Sequence, residues 1–149
     1  SPDFILRTTV MLGFPGETEE QFELLYDFLK NEPFDRVGAF VFCPEDGTKA
    51  ALMDGQIDEA TAKARLDKIM RMQQTVSLEL NKKRIGKEYE VLIERVDKDA
   101  CYGRSYAEAP DVDGIIKIIN IPASVKPGDF IYAKITDASA YDLKGEFVK

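Results

Sequence analysis

The apolar pattern of this chain changes its period near Lys87, and that change limits what the chain can fold into. Upstream, Ala62, Leu66, Ile69, Gln73, Val76 and Leu80 follow alternating steps of four and three, which places them on one face of an α-helix. Downstream, Tyr89, Val91 and Ile93 alternate with Glu88, Glu90, Leu92 and Glu94, the two-residue period of a half-buried strand. Gly86 lies between the two patterns and can terminate the helix.

The helical pattern predicts a long helix from a cap at Asp58 to about Arg84. Met70 and Leu78 widen its seam, and Lys82, Lys83 and Arg84 suit the negative end of the helix dipole. So narrow a seam packs against a neighbouring body; a coiled-coil dimer is the alternative. Beyond Lys87, further strands are expected at 101–106, 114–119, 130–136 and 141–148. They are separated by the turn signals Asp97-Lys98-Asp99, Asp111-Val112-Asp113-Gly114 and Lys126-Pro127-Gly128-Asp129. Closure removes exposed edges from short strands, so a five-stranded antiparallel β-barrel is expected here.

Residues 5–57 read as β-α-β. The strand Ile5–Leu12 enters the loop Gly13-Phe14-Pro15-Gly16-Glu17, and Thr18-Glu19-Glu20-Gln21 reads as a capping box for the helix that follows. Phe22, Leu25, Tyr26, Phe28 and Leu29 give that helix a buried face, ending near Glu32-Pro33. The nearly continuous apolar run Val37–Cys43 predicts a strand covered on both faces. One crossover unit cannot cover its own sheet, so the first third is expected to be the tail of a larger α/β sheet or barrel. The fold class is therefore α/β plus β.

Composition removes several chemistries. The chain has no histidine, and its two cysteines, Cys43 and Cys101, are far apart. His-based triads, a disulfide framework and a CxxC-type metal site are excluded. No Cys-x-x-x-Cys-x-x-Cys occurs, and the loop Gly13–Thr18 lacks both the P-loop ending and the three-glycine dinucleotide fingerprint. Gly13 and Gly16 allow positive φ or close approach to a ligand, while Glu17 can stabilise a helix N-terminus. Cys43 reads as a small residue ending a strand. Arg7, a charge inside an apolar strand, must be paired, face a ligand or lie at an exposed edge. No stretch resembles a signal peptide or a membrane span, so the expected compartment is the cytoplasm, without a membrane partner.

The net charge is −7, and residues from Arg84 onward carry 10 basic and 12 acidic side chains. A body of this kind favours a basic partner over nucleic acid.

The chain resembles RimO-type ribosomal protein methylthiotransferases, a branch of the radical S-adenosylmethionine (SAM) methylthiotransferase family. The matching residues are Leu6-Arg7-Thr8-Thr9, Gly13-Phe14-Pro15-Gly16-Glu17-Thr18, Phe42-Cys43-Pro44-Glu45-Asp46-Gly47-Thr48, the long linker helix and a β-rich end similar to a TRAM domain. The segment Gly103-Arg104-Ser105-Tyr106-Ala107-Glu108-Ala109-Pro110-Asp111-Val112-Asp113-Gly114 is similar to the stretch that marks the ribosomal-protein branch. The resemblance implies a radical-SAM part with its linker helix at 1–83 and a TRAM domain at 84–149, the C-terminal portion of a longer enzyme. It further implies methylthiolation of the β-carbon of an aspartate in a small-subunit ribosomal protein. SAM acts there as methyl donor and radical source, with two [4Fe–4S] clusters ligated by residues absent from this chain. By that analogy no residue here is catalytic, and the chain alone is inactive. Gly13, Phe14, Pro15, Gly16, Glu17, Phe42 and Pro44 line the SAM pocket, and Arg7, Glu108, Asp111 and Asp113 are candidate substrate contacts. Cys43 stands where the family often has Ser. The expected partner is the basic ribosomal protein, with the ribosome or its assembly factors beside it. The rival readings are a transfer-RNA methylthiotransferase whose TRAM domain binds RNA, and a non-catalytic binding module.

Overall fold

The computed structural model describes residues 4–149, so the first three residues of the 1–83 region lie outside it. Contacts divide the chain into two compact units, 1–76 and 77–149.

In the first unit, strand β1 (Arg7–Leu12) leads through the glycine loop into helix α1 (Glu19–Asn31), and β2 (Arg36–Val41) pairs parallel to β1, Arg7 opposite Arg36 and Leu12 opposite Val41. The capping box forms as the sequence predicts. Thr18 Oγ1 accepts from the Gln21 amide at 3.2 Å, and Gln21 Oε1 accepts from the Thr18 amide at 3.1 Å. Glu32 caps the other end, one residue before the proline. After a short 3₁₀ turn at Ala50–Leu52, helix α2 spans Glu59–Lys82. Asp58 caps it as expected, accepting from the Thr61 amide at 2.9 Å and the Thr61 hydroxyl at 2.6 Å.

One face of the two-stranded sheet packs on the helices. Leu12, Phe22, Leu29, Ile69 and Met72 form the core there, with Val10, Val37, Ala39 and Leu66 against it. Among the described residues β2 is covered on one face, as expected of a crossover unit that cannot cover its own sheet. The opposite face, with Met11 and Phe40, is open, because both helices pack on the same side. Helix α2 buries Ala62, Ile69 and Gln73 of the predicted seam, and beside them the polar Arg65, Ser77 and Asn81.

The second unit is a closed barrel of five strands: β3 (Glu88–Val96), β4 (Ala100–Arg104), β5 (Ile116–Ile119), β6 (Phe130–Ala138) and β7 (Leu143–Phe147), in the order β3-β4-β5-β7-β6. The strands match the two-period segments to within a few residues. Their pairing corrects one expectation: the barrel is mixed, with β5 parallel to β7. A closed ring of an odd number of strands cannot alternate direction all the way round, so at least one neighbouring pair must be parallel. Val91, Ile93, Cys101, Ile116, Ile118, Ile131, Ala133, Ile135 and Leu143 fill the interior, as the inward positions of a small barrel must. β3 and β6 each carry an irregularity, at Ile93/Arg95 and Ile135/Asp137, where bulges sharpen strand curvature.

Candidate functional site

Parallel strands β1 and β2 end on the same edge of their sheet, so the loops that follow them share that edge. Ligands of open α/β sheets bind outside such carboxyl ends. The structure accordingly brings most of the predicted SAM-lining residues together. Phe42 donates its amide to Leu12 O at 2.8 Å, and its ring meets Phe14 edge-on, with centroids 5.2 Å apart and an angle of 70°. Phe14, Pro15, Gly16 and Glu17 line a groove of about 360 Å³ with Gln21, Phe22 and Leu25 of α1. Phe42 and Pro44 do not line that groove; Pro44 is exposed in the loop after β2.

The two glycines of the loop serve different needs. Gly13 has φ +76°, and a Cβ there would lie 2.6 Å from the Ala62 Cβ. Its role is close packing against α2. Gly16 has φ +84° and open space around the missing Cβ, and its amide donates to Gly55 O at 2.9 Å. Gly16 is thus the position of the loop at which backbone faces free volume.

Glu17 bridges both ends of the loop. Its Oε2 accepts from the Gly13 amide at 3.1 Å, while its Oε1 pairs with Arg65 Nη1 at 2.6 Å. The other arm of the guanidinium pairs with Glu19 at 2.9 Å, and the Arg65 Cζ lies 5.4 Å from the centre of the Phe22 ring. The Arg65 and Glu17 side chains are only 9% and 13% exposed. Burial disfavours the Arg65 charge, but the hydrogen bonds and charges of Glu19 and Glu17 outweigh it and raise the pKa. Arg65 was missed from the sequence because a charged residue reads as surface. Its position, three residues after Ala62 and four before Ile69, was the available signal.

Arg7 lies at the exposed start of β1, opposite Arg36 and away from the loop edge. Among the described residues no group of three or more His, Cys, Asp or Glu could hold a metal ion. This unit therefore does not fit an iron–sulfur cluster. Cys43 is exposed and Cys101 buried, where desolvation pushes the Cys101 thiol pKa up.

In the barrel unit the acidic candidates separate. Glu108 is turned inward, its side chain 2% exposed and paired with Arg84 Nη1 at 2.5 Å. Its second oxygen accepts from the Ser105 hydroxyl at 2.6 Å and the Ser105 amide at 3.0 Å. The Arg84 guanidinium also donates to Ser105 Oγ at 3.2 Å and lies 4.6 Å from the centre of the Tyr89 ring. This network holds the segment in shape and keeps the Glu108 carboxylate from a protein partner. Asp111 remains exposed in a left-handed turn, φ +60°. Asp113 is half-buried and accepts from the Ala109 amide at 2.7 Å.

The outer surface also gathers cations that look scattered in the sequence. Arg95, Tyr102, Lys117 and Lys144 are successive cross-strand partners on β3, β4, β5 and β7. Arg95 lies 4.1 Å from the Tyr102 ring centre, and Lys144 pairs with Asp137 at 3.0 Å.

Comparison with known proteins matches residues 85–148 to the TRAM domain family. The barrel unit is a TRAM domain. Proteins named ribosomal protein uS12 methylthiotransferase RimO are close homologues over the whole chain. The one from Carboxydothermus hydrogenoformans is 47% identical over 149 residues, covering 99% of this chain and 34% of that protein. Those from Caldicellulosiruptor saccharolyticus and Dictyoglomus thermophilum are each 48% identical over 147 residues, covering 98% of this chain and 33% of the relative. The chain thus spans about a third of the length of these relatives. No helix among the described residues is long and apolar enough to cross a membrane.

Proposed function

We propose that this chain is the C-terminal part of a cytoplasmic radical-SAM enzyme that methylthiolates the β-carbon of an aspartate in ribosomal protein uS12. The observation that carries the reading is the identity to RimO proteins over essentially the whole chain. In this reading residues 1–83 belong to the radical-SAM part with its linker helix, and residues 84–149 are the TRAM domain that recognises uS12. Gly13–Glu17, with Phe42 and Pro44 on the same edge, contributes to the SAM site. The open face of Gly16 and the adjoining groove fit that role, since backbone there can meet a ligand without a Cβ between them. When bound, SAM supplies the methyl group and the radical chemistry; this chain's part is to bind and orient it. The two [4Fe–4S] clusters belong to residues outside this chain. Residues 1–149 alone should therefore release no 5′-deoxyadenosine.

Arg95, Tyr102 and Lys117 favour a second reading for the barrel, because an aromatic flanked by cations on one sheet face suits single-stranded RNA. The acidic balance of the domain favours uS12. Incubating the reconstituted full-length enzyme with SAM, a one-electron reductant, a sulfide source and either uS12 or transfer RNA tests the choice. The reading predicts a mass gain on one uS12 aspartate. Modification of transfer RNA alone would overturn it.

A further inference from the structure

We propose that Arg65 is a positioning residue, which from helix α2 holds the Gly13–Glu17 loop in its SAM-binding shape without touching SAM. This rests on the proposed SAM contact of the loop and adds the group that fixes the loop.

The loop is tied at both ends through one carboxylate. Glu17 accepts from the amide of Gly13 and pairs with Arg65, so the first and last residues of the loop are joined through a side chain that α2 anchors. Arg65 Nη1 also lies 3.4 Å from the Glu17 carbonyl oxygen. The second arm holds Glu19 in the first turn of α1, and Phe22 lies against the guanidinium. Only a planar, two-armed cation can serve both carboxylates and the ring together; a lysine provides one point of charge. Three residues before Arg65, Ala62 leaves room for Gly13 but for no side chain. Helix α2 thus sets both the place and the tightness of the loop. Breaking the ion pair leaves Glu17 partly buried without its cation and frees the Gly13 amide from a fixed acceptor.

Two readouts in the full-length protein test the idea: amide hydrogen exchange across residues 13–17, and the split between KM for SAM and kcat. Arg65→Met should speed exchange in the loop and raise KM for SAM about tenfold, the equivalent of about 1.4 kcal/mol of lost binding. With SAM saturating, kcat should stay near the parent value, because binding and not the transition state is affected. Arg65→Lys should recover part of the affinity. If Arg65→Met does not fold, Glu19→Gln removes one of the two charges that hold the guanidinium and should give the same pattern more weakly. Unchanged loop exchange in the variants would overturn the clamp itself. Faster exchange with unaltered KM would overturn the SAM contact, and the proposal with it.

Discussion

Arg84 and Glu108 form a buried ion pair of 2.5 Å, which ties the residue just past helix α2 to the middle of the 103–114 segment. Ser105 satisfies the remaining carboxylate oxygen, and Tyr89 lies against the guanidinium. The pair therefore fixes the conformation of the 103–114 segment, and leaves exposed Asp111 as its outward acid.

Removing one partner leaves a buried charge alone. Glu108→Ala should destabilise the barrel by about 3–5 kcal/mol. Replacing both partners by apolar residues, Arg84→Met with Glu108→Leu, should recover most of that loss. Urea unfolding of the single and double variants checks both outcomes. Equal losses in single and double variants would show that the pair is not the source of the stability.

The two cysteines should differ sharply in reactivity. Cys43 is exposed, whereas Cys101 lies in the barrel core with its thiol pKa raised by desolvation. The thiolate is the nucleophile. Under native conditions iodoacetamide should label Cys43 and leave Cys101 until the barrel unfolds, as peptide mapping would show. Prompt labelling of Cys101 would contradict the closed barrel.

Much of this fold is legible in the residues, and the failures have physical causes. Thr18 and Asp58 mark helix starts through hydrogen bonds to residues three positions on, which depend on few neighbours. Strand positions follow from the alternation around Val91, Ile131 and Leu143. Strand direction does not: the parallel β5–β7 pair arises only when the ring closes. Arg65 and Glu108 escape because each is a charge made tolerable inside by a partner far away in sequence, Glu17 and Arg84 respectively. The turn at Gly13–Glu17 is legible from its glycines, and the Arg65–Glu17 pair beside it is not.

Helix α2 should show an acid-sensitive N-terminus. Hydrogen bonds from the Thr61 hydroxyl and amide lower the Asp58 pKa. A depressed carboxylate contributes fully above its unfolded value of about 3.9, and its contribution fades as pH falls through the lower, folded value. Protection of the Thr61 amide, measured against its intrinsic exchange rate, should fall in that acid window. Asp58→Asn should flatten the pH dependence, since an amide does not titrate there.

The choice of partner for the barrel can be read from paired variants. Asp111→Asn with Asp113→Asn should weaken binding of uS12 by the full-length protein. Arg95→Ala with Lys117→Ala should leave that binding near the parent level. The reverse pattern, together with salt-sensitive RNA binding lost in the cation variants, would assign the barrel to RNA.

Modification of a uS12 aspartate by the protein containing this chain is read from the mass of the uS12 peptide that carries it, taken from cells with the gene intact, deleted and restored. A methylthio adduct should be present with the gene, lost on deletion and regained on restoration. An aspartate that carries the adduct without the gene, or never carries it, would rule out this protein as its source.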